Sequence, residues 1–485
     1  FKQKTAYEIS LGLVGSEMCI RDRIMIVKQL YTKCLSQGAY YVESNGEAAV
    51  IDPLREVSEY INLAKLSNSK IKYIFETHFH ADFISGHLTL SKKTNAPIIF
   101  GPNAKPSFES IIAKDNEIFN IGDITIQVIH TPGHTLESTC YLLRDENNAQ
   151  YCLFSGDTLF LGDVGRPDLA QKSMNISKED LAGILFDSIN NKISVLDENI
   201  LIYPAHGAGS ACGKNMMKET VDTLANQKLV NYALNGKLNK DEFINELTSD
   251  LADPPEYFPS NVMLNQDGYD DFDSILENSL KSISIEDFKN LMQNDDTIIL
   301  DVRDQKDFKN GFVPGSIFIG LNGAFAPWVG SIIKDVNKKL LLVCDPDSEK
   351  EAIMRLSRVG FDNCLGFLEG GFTTWSNNNS YDTIESIDSD NLSMIVDKVK
   401  LIDVRKLSER DNGFLSSSVS IPLDEFQEKL EQVNNNEKNY IHCAGGYRSM
   451  IACSILKRNG YKSVVDVKGG FSAIRNSNFK ILTHE

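Results

Sequence analysis

The chain has 485 residues, which at about 150 per domain suggests three domains, and its 49 Lys and Arg against 67 Asp and Glu leave a formal charge of −18. A surface that acidic repels phosphate backbones, which argues against a nucleic-acid partner, while 42% hydrophobic and 24% charged residues describe a globular rather than a disordered chain. No apolar stretch approaches the roughly 18–20 residues that cross a bilayer, so no membrane is expected; nine scattered cysteines without a CxxC pair fit neither a disulfide framework nor a zinc ribbon and suit a reducing cytoplasm.

Residues 1–23 carry mixed charge and no clean period, without the ordered basic, apolar and cleavage regions of a secretory signal. The stretch resembles a translated sequencing adapter. Residues 1–24 are therefore expected to be a non-native or disordered leader, with the natural start near Met25. From there to about Asn265, apolar runs end in polar clusters. AAVIDP (Ala48–Pro53), IKYIFETH (Ile71–His78), ITIQVIHTPGH (Ile124–His134) and YCLFSGD (Tyr151–Asp157) each predict a strand delivering His or Asp to a loop. Such loops hold ligands well, because the sheet fixes them and the loop exposes them. A helical segment with a Pro-rich break, Met216 to Pro255, closes this part, read as one domain over 25–275.

The remainder repeats itself. LDVRDQKDF (Leu300–Phe308) returns as IDVRKLSER (Ile402–Arg410); Asp301 and Asp403, Gly311 and Gly413, Ile319 and Ile421 share one offset of 102. LEGGF (Leu368–Phe372) returns as VKGGF (Val467–Phe471). Two tandem copies, over 281–380 and 385–485, each alternate strand and helix, the pattern of a doubly wound parallel sheet.

The first part carries a metal-ligand pattern. THFHADFISGH (Thr77–His87) is followed by TPGH (Thr131–His134), SGD (Ser155–Asp157) and PAHG (Pro204–Gly207), and six of the eight His lie between positions 78 and 206. Imidazole and carboxylate are the ligands of Zn and Fe, and four strand-end loops bring them into one domain.

In this order the motifs resemble the metallo-β-lactamase superfamily. The resemblance implies an αββα sandwich with the metal at one edge, followed here by two doubly wound α/β domains, an α/β multidomain chain. Two-metal members read HxHxDH; here the last position is Phe83, whose ring cannot donate to a second metal. That counts against a Zn-dependent hydrolase of glyoxalase II type, which stays as the alternative. The branch the chain resembles is the persulfide dioxygenases. That resemblance implies a single Fe(II) on His78, His134 and Asp157, a two-His, one-carboxylate triad with open positions for O2 and substrate. It also implies oxidation of a low-molecular-weight thiol persulfide to sulfite, in sulfide detoxification. His80, Asp82 and His206 would orient ligands and water, or merely line the pocket. In LGDVGRPDL (Leu161–Leu169), Arg166 is implied to contact the carboxylate of the thiol carrier; its competing reading is an ion pair with Asp163 or Asp168.

The last part carries a cysteine loop. In IHCAGGYRSM (Ile441–Met450), Cys443 opens a Gly-rich turn that Arg448 closes before a helix. Inward N–H groups, a helix N-terminus and a cation favour a nucleophilic thiolate. DVR, the Cys loop and GGF in this order resemble a rhodanese domain, which implies a sulfurtransferase making or using thiosulfate at Cys443 and Arg448. A non-catalytic sulfur carrier or sensor is the third reading, and a homo-oligomer stays open. In the first copy, LLVCDPDSEKEA (Leu341–Ala352) places Cys344 beside Asp345, Pro346 and Asp347, which supply like charge and remove a donor. That copy is expected to be inactive, a spacer or docking domain.

Overall fold

The computed structural model describes residues 25–169, 176–251 and 253–483; the leader expected over 1–24 lies outside the described residues. Strands β1 (Ile26–Thr32), β2 (Gln37–Ser44), β3 (Glu47–Ile51), β4 (Lys70–Glu76), β5 (Ile98–Phe100) and β6 (Ile111–Ile112) form a six-stranded sheet in chain order. A second six-stranded sheet, also in chain order, holds β7 (Ile118–Ile121), β8 (Ile124–His130), β9 (Thr139–Arg144), β10 (Gln150–Gly156), β11 (Leu201–Pro204) and β12 (Asp222–Thr223).

Side-chain alternation explains how the two sheets stack. Successive residues of a strand point to opposite faces. Tyr40 and Val42 of β2 and Ile51 of β3 therefore meet Ile124, Ile126, Val128 and Tyr141 in the core between the sheets. Ala39 and Tyr41, one residue out of phase, pack outward against Tyr60 and Leu90, on helices Ser58–Leu66 and His87–Thr94. On the far face Cys140, Leu142 and Leu153 meet Leu185 and Phe243, on helices Lys178–Ser188 and Lys240–Thr248. The result is helix, sheet, sheet, helix. The predicted helical stretch Met216 to Pro255 reduces to helices Leu224–Val230 and Lys240–Thr248; the second starts at a capping box in which Asn239 and Glu242 each accept from the other's backbone N–H.

The repeat is structural as well as sequential. Strands β13 (Ser282–Ile283), β14 (Thr297–Asp301), β15 (Ile317–Phe318), β16 (Lys339–Val343) and β17 (Cys364–Leu368) form a parallel sheet ordered β13-β17-β16-β14-β15. The second copy comprises β18 (Glu385–Ile387), β19 (Lys400–Asp403), β20 (Phe414–Leu415), β21 (Ser418–Ser420), β22 (Asn439–His442), β23 (Val464–Val467) and β24 (Ile481–Leu482). Its parallel sheet runs β18-β23-β22-β19-β21, the same winding, with β20 and β24 paired separately. Central strands such as β16 are buried from Leu340 to Val343, as a parallel sheet covered on both faces requires. Among the described residues no helix is long and apolar enough to cross a membrane.

The first copy is docked on the sandwich through a buried cation. Arg55 donates two hydrogen bonds to the Asp362 carboxylate, at 2.7 and 2.8 Å, and one to the Ser357 carbonyl at 2.7 Å, and its guanidinium lies over the Tyr269 ring. The Ile84 N–H donates to the Arg358 carbonyl at 2.7 Å. The spacer or docking domain expected at 281–380 thus bonds directly to the HADFISGH loop.

Candidate metal centre and cysteine pocket

Every candidate ligand of the first domain sits just beyond a strand. Asp52 follows β3, His78 and His80 follow β4, His134 follows β8, Asp157 follows β10 and His206 follows β11. His78, His134 and Asp157 converge, as do His80, Asp82 and His206, all buried. Asp157 Oδ2 lies 3.8 Å from His78 Nε2 and 3.5 Å from His134 Nε2. Two ligand atoms each about 2.1 Å from one ion lie roughly 3.0–3.5 Å apart at tetrahedral or octahedral angles, so the spacing is close to that of ligands of one metal.

Hydrogen bonds aim both imidazoles. The His134 Nδ1 lies 2.8 Å from the Arg166 carbonyl, which can only accept, so Nδ1 carries the proton and Nε2 presents a lone pair. Thr77 Oγ1 donates to Asp52 and is therefore left to accept from His78 Nδ1 at 3.0 Å, with the same outcome. Burial and the neighbouring rings of His80, His134 and His206 hold His78 well below the ordinary imidazole range, which keeps it in the neutral, ligating form. Among the described residues, both carboxylate oxygens of Asp157, both ring nitrogens of His80 and His206, and Asp82 Oδ1 are buried without a hydrogen-bond partner. Burying so many polar atoms without hydrogen bonds is costly, and a bound cation would satisfy the Asp157 oxygens and one nitrogen of a neutral imidazole. Gly165 permits the packing: a Cβ there would lie 2.1 Å from the Asp157 carbonyl and 2.9 Å from His134 Nδ1.

Phe83 is fully buried, with its ring 4.4 Å from His80 and 6.5 Å from His206. It puts apolar surface at the position where the resemblance implies a further donor. His206 lies 3.4 Å from Asp82 and 3.6 Å from Asp157; although burial opposes its charged form, these carboxylates hold its pKa well above the ordinary value.

Arg166 makes the ion pair of the competing reading, with Asp168. Its guanidinium donates twice to Asp168, each at 2.7 Å, and once to the Ala211 carbonyl, while its own carbonyl orients His134. Sequence reasoning missed the floor of the site. Asp52 accepts from the Thr77 N–H and hydroxyl, and Glu76, raised well above the carboxylate range by burial and by Asp52, accepts from Ser85. His87, which burial pushes down to about 3, stacks on Phe108. Asn265 donates to the carbonyls of His80 and Phe83, at 2.8 Å each, and accepts from the Ser85 N–H. Asp52 carried the same strand-end signal as the ligands; Asn265, on a distant helix, carried none.

In the second repeat, Cys443 follows β22 and the helix Tyr447–Arg458 begins at once. Gly446, at φ +110°, turns its N–H onto Cys443 Sγ at 3.0 Å, a conformation that favours glycine. Ser449 Oγ lies 3.7 Å from the sulfur and donates to Asp466, whose pKa burial pushes up to about 6. Arg448 closes the loop, but its charge is shared: Glu409 accepts two of its hydrogen bonds, at 2.5 and 2.7 Å. The cation that closes the loop is thus part of an ion pair.

Cys344 differs. Burial, Cys364 and the carboxylates of Glu349, Asp301 and Asp345 push its thiol well above the ordinary value. Among the described residues no amide is bonded to its sulfur. A slow alkylating agent at pH about 6.5, where the thiolate is the reactive form, is expected to label Cys443 well before Cys344 by peptide mass spectrometry. Equal or reversed labelling would show that the first repeat is also reactive.

The metallo-beta-lactamase superfamily profile matches residues 33–206, and the rhodanese-like domain profile matches residues 284–378 and 389–477. A crystal structure of a metallo-beta-lactamase from Staphylococcus aureus subsp. aureus COL is 31% identical, covers 71% of this chain and 98% of its own, and superposes with a TM-score of 0.62. The chain belongs to the metallo-beta-lactamase superfamily. Its sandwich is followed by two rhodanese-like domains, as the resemblance implied. Curated relatives of the first part include a hydroxyacylglutathione hydrolase of Dictyostelium discoideum, 31% identical over 169 residues, 34% of this chain and 59% of that protein. Glyoxylase B2 of the same organism is 28% identical over 265 residues, 49% of this chain and 84% of that protein. The chain spans about 60% of the length of the hydroxyacylglutathione hydrolases it matches.

Proposed function

We propose that the chain is an iron-dependent persulfide dioxygenase joined to a thiosulfate-forming sulfurtransferase. The observation that carries the reading is the pairing of one complete two-His, one-carboxylate triad with a buried Phe83 beside the second cluster. A bound Fe(II) would supply the redox chemistry with O2. His78 and His134 would hold it as neutral donors and Asp157 as the anionic one. The overall change is R–S–SH + O2 + H2O giving R–SH, SO3²⁻ and two protons. At the second site the Cys443 thiolate would attack the outer sulfur of a persulfide. The new S–S bond gives Cys443–S–SH as R–S⁻ leaves, and sulfite then takes that sulfur as thiosulfate and restores the thiol. The link between the domains raises the local concentration of the shared sulfite. All eight described cysteines are free thiols, which supports a reducing compartment such as the cytoplasm.

The hydroxyacylglutathione hydrolase relatives and the His80, Asp82, His206 cluster favour a second reading, hydrolysis of a thioester at a two-metal Zn site. Protein from iron-supplied cells separates the two. The dioxygenase reading expects about one iron per chain and oxygen uptake with organic persulfides. Two zinc ions per chain with thioester hydrolysis, and no oxygen uptake, would replace it.

A further inference from the structure

Strand β23 carries a carboxylate that its surroundings do not call for. Val464, Val465 and Val467 are buried apolar residues, as a strand covered on both faces requires, yet Asp466 among them is buried too, at 5% exposure. A buried polar group of this kind asks for an explanation. Its carboxylate accepts from the Ser449 hydroxyl at 2.7 Å, and Ser449 Oγ in turn lies 3.7 Å from Cys443 Sγ. Ser449 and Cys443 are buried as well. Sulfur, hydroxyl and carboxylate therefore form a continuous line from the thiol into the core. At the matching place before the shared GGF, the first repeat has Phe367 in place of Asp466.

The charge on Asp466 decides where the Ser449 proton points. A hydroxyl has one proton to give, and its acceptors here are the Asp466 carboxylate, the Gly446 carbonyl at 2.9 Å and the sulfur. An ionised carboxylate is the strongest acceptor of the three. While Asp466 is ionised, Ser449 donates to it and accepts from the Cys443 thiol. Once Asp466 holds a proton it becomes the donor. The Ser449 hydroxyl then turns to the sulfur and joins the Gly446 N–H in stabilising a thiolate.

The other charged and titratable groups nearby have different commitments. Burial raises the Asp466 pKa to about 6, against the Ser449 bond and the cations Lys309 and Lys468, which lower it. Cys453 is held well above the ordinary thiol range by burial and by Asp466, so it keeps its own proton. Arg448 is paired with Glu409, and His442 faces Asp403 at 3.8 Å.

We infer that Asp466 is a positioning residue of the Cys443 site, storing the Cys443 proton through the Ser449 hydroxyl. This rests on the sulfurtransferase reading above. As Cys443 Sγ bonds to the outer sulfur of the persulfide, its proton passes to Ser449 Oγ and the Ser449 proton passes to the Asp466 carboxylate. The S–S bond of the persulfide breaks, and its electron pair leaves with the carrier as R–S⁻. When sulfite takes the sulfur, both protons shift back and Cys443 is a thiol again. The proton steps change no oxidation state and need no other reactant.

The test loads sulfur onto the full chain from inorganic thiosulfate and follows the gain of one sulfur atom on Cys443 by intact mass, at pH values below and above the ordinary thiol range near ~8.5. In the unsubstituted chain the rate should rise through about pH 6, as Asp466 ionises, and then flatten. Asp466→Asn cannot take up the proton, and Ser449→Ala breaks the line. Each should lose about 10²-fold at pH ~6.5, the lower end of what general acid–base help supplies. Each should recover most of that loss at pH ~9, where a thiol ionises unaided. Ser449→Thr, which keeps the hydroxyl, should restore the flat profile. Ser449→Ala alone decides the matter if circular dichroism shows that Asp466→Asn does not fold. A loss of equal size at every pH, or no loss, overturns the inference while leaving the sulfurtransferase reading in place. If the unsubstituted chain gains no sulfur at any pH, the sulfurtransferase reading fails and this one with it.

Discussion

Asp157→Ala is expected to abolish bound metal and oxygen uptake together. Asp157 is the anionic member of the triad, and its Oδ2 is the atom both imidazoles approach. Among the described residues its two oxygens accept no hydrogen bond, and only imidazoles, those of His78, His134 and His206, stand within 4 Å as ion-pair partners. Losing even an outer partner of a ligand costs about 10–100-fold in metal affinity; losing the charged ligand should exceed that. The fold should survive, because Asp82 still faces His206 once the Asp157 carboxylate is gone. Elemental analysis and an oxygen electrode check the outcome, with circular dichroism as the control for folding. Retention of either iron or oxygen uptake would displace Asp157 from the ligand set.

Cys443→Ser is expected to end thiosulfate formation while oxygen uptake continues, so that sulfite becomes the released product. A hydroxyl does not ionise near neutral pH and cannot take the sulfane sulfur that a thiolate takes. The Gly446 N–H would still meet an acceptor at the same place, so the loop should keep its shape. None of the His and Asp clusters at the first site includes a residue of the cysteine loop. Ion chromatography of sulfite and thiosulfate, run beside the oxygen electrode, reads the division of products. Loss of oxygen uptake with iron still bound would mean that the two chemistries are not separable.

Much of this was legible before any coordinates, because the informative signals are local. The apolar run ITIQVIH predicted β8, and a polar cluster after an apolar run marked His78, His134 and Asp157. The constant offset between Asp301 and Asp403 announced two copies of one winding. What stayed hidden depends on residues far apart in the chain. Asn265 holds the carbonyl of His80 from 185 positions away, and Arg55 finds Asp362 across 307. Charge alone could not tell whether Arg166 and Arg448 stand open or paired, since carboxylates follow or face them at several spacings. Nor could the cysteine motif reveal that most of the residues lining the cavity over Cys443 belong to the first copy.

The Arg55 seam has a bearing on how the chain comes apart. Its guanidinium is fully buried, and its strongest partners belong to the first rhodanese-like domain. A buried cation deprived of its counter-ion is far less tolerable than one that never had it. Unzipping the middle unit would therefore cost Arg55 its counter-ion and, through Ile84 and Arg358, slacken the turn between Asp82 and Ser85. Heat or proteases that attack the middle unit would then loosen the candidate metal centre without touching one of its candidate ligands.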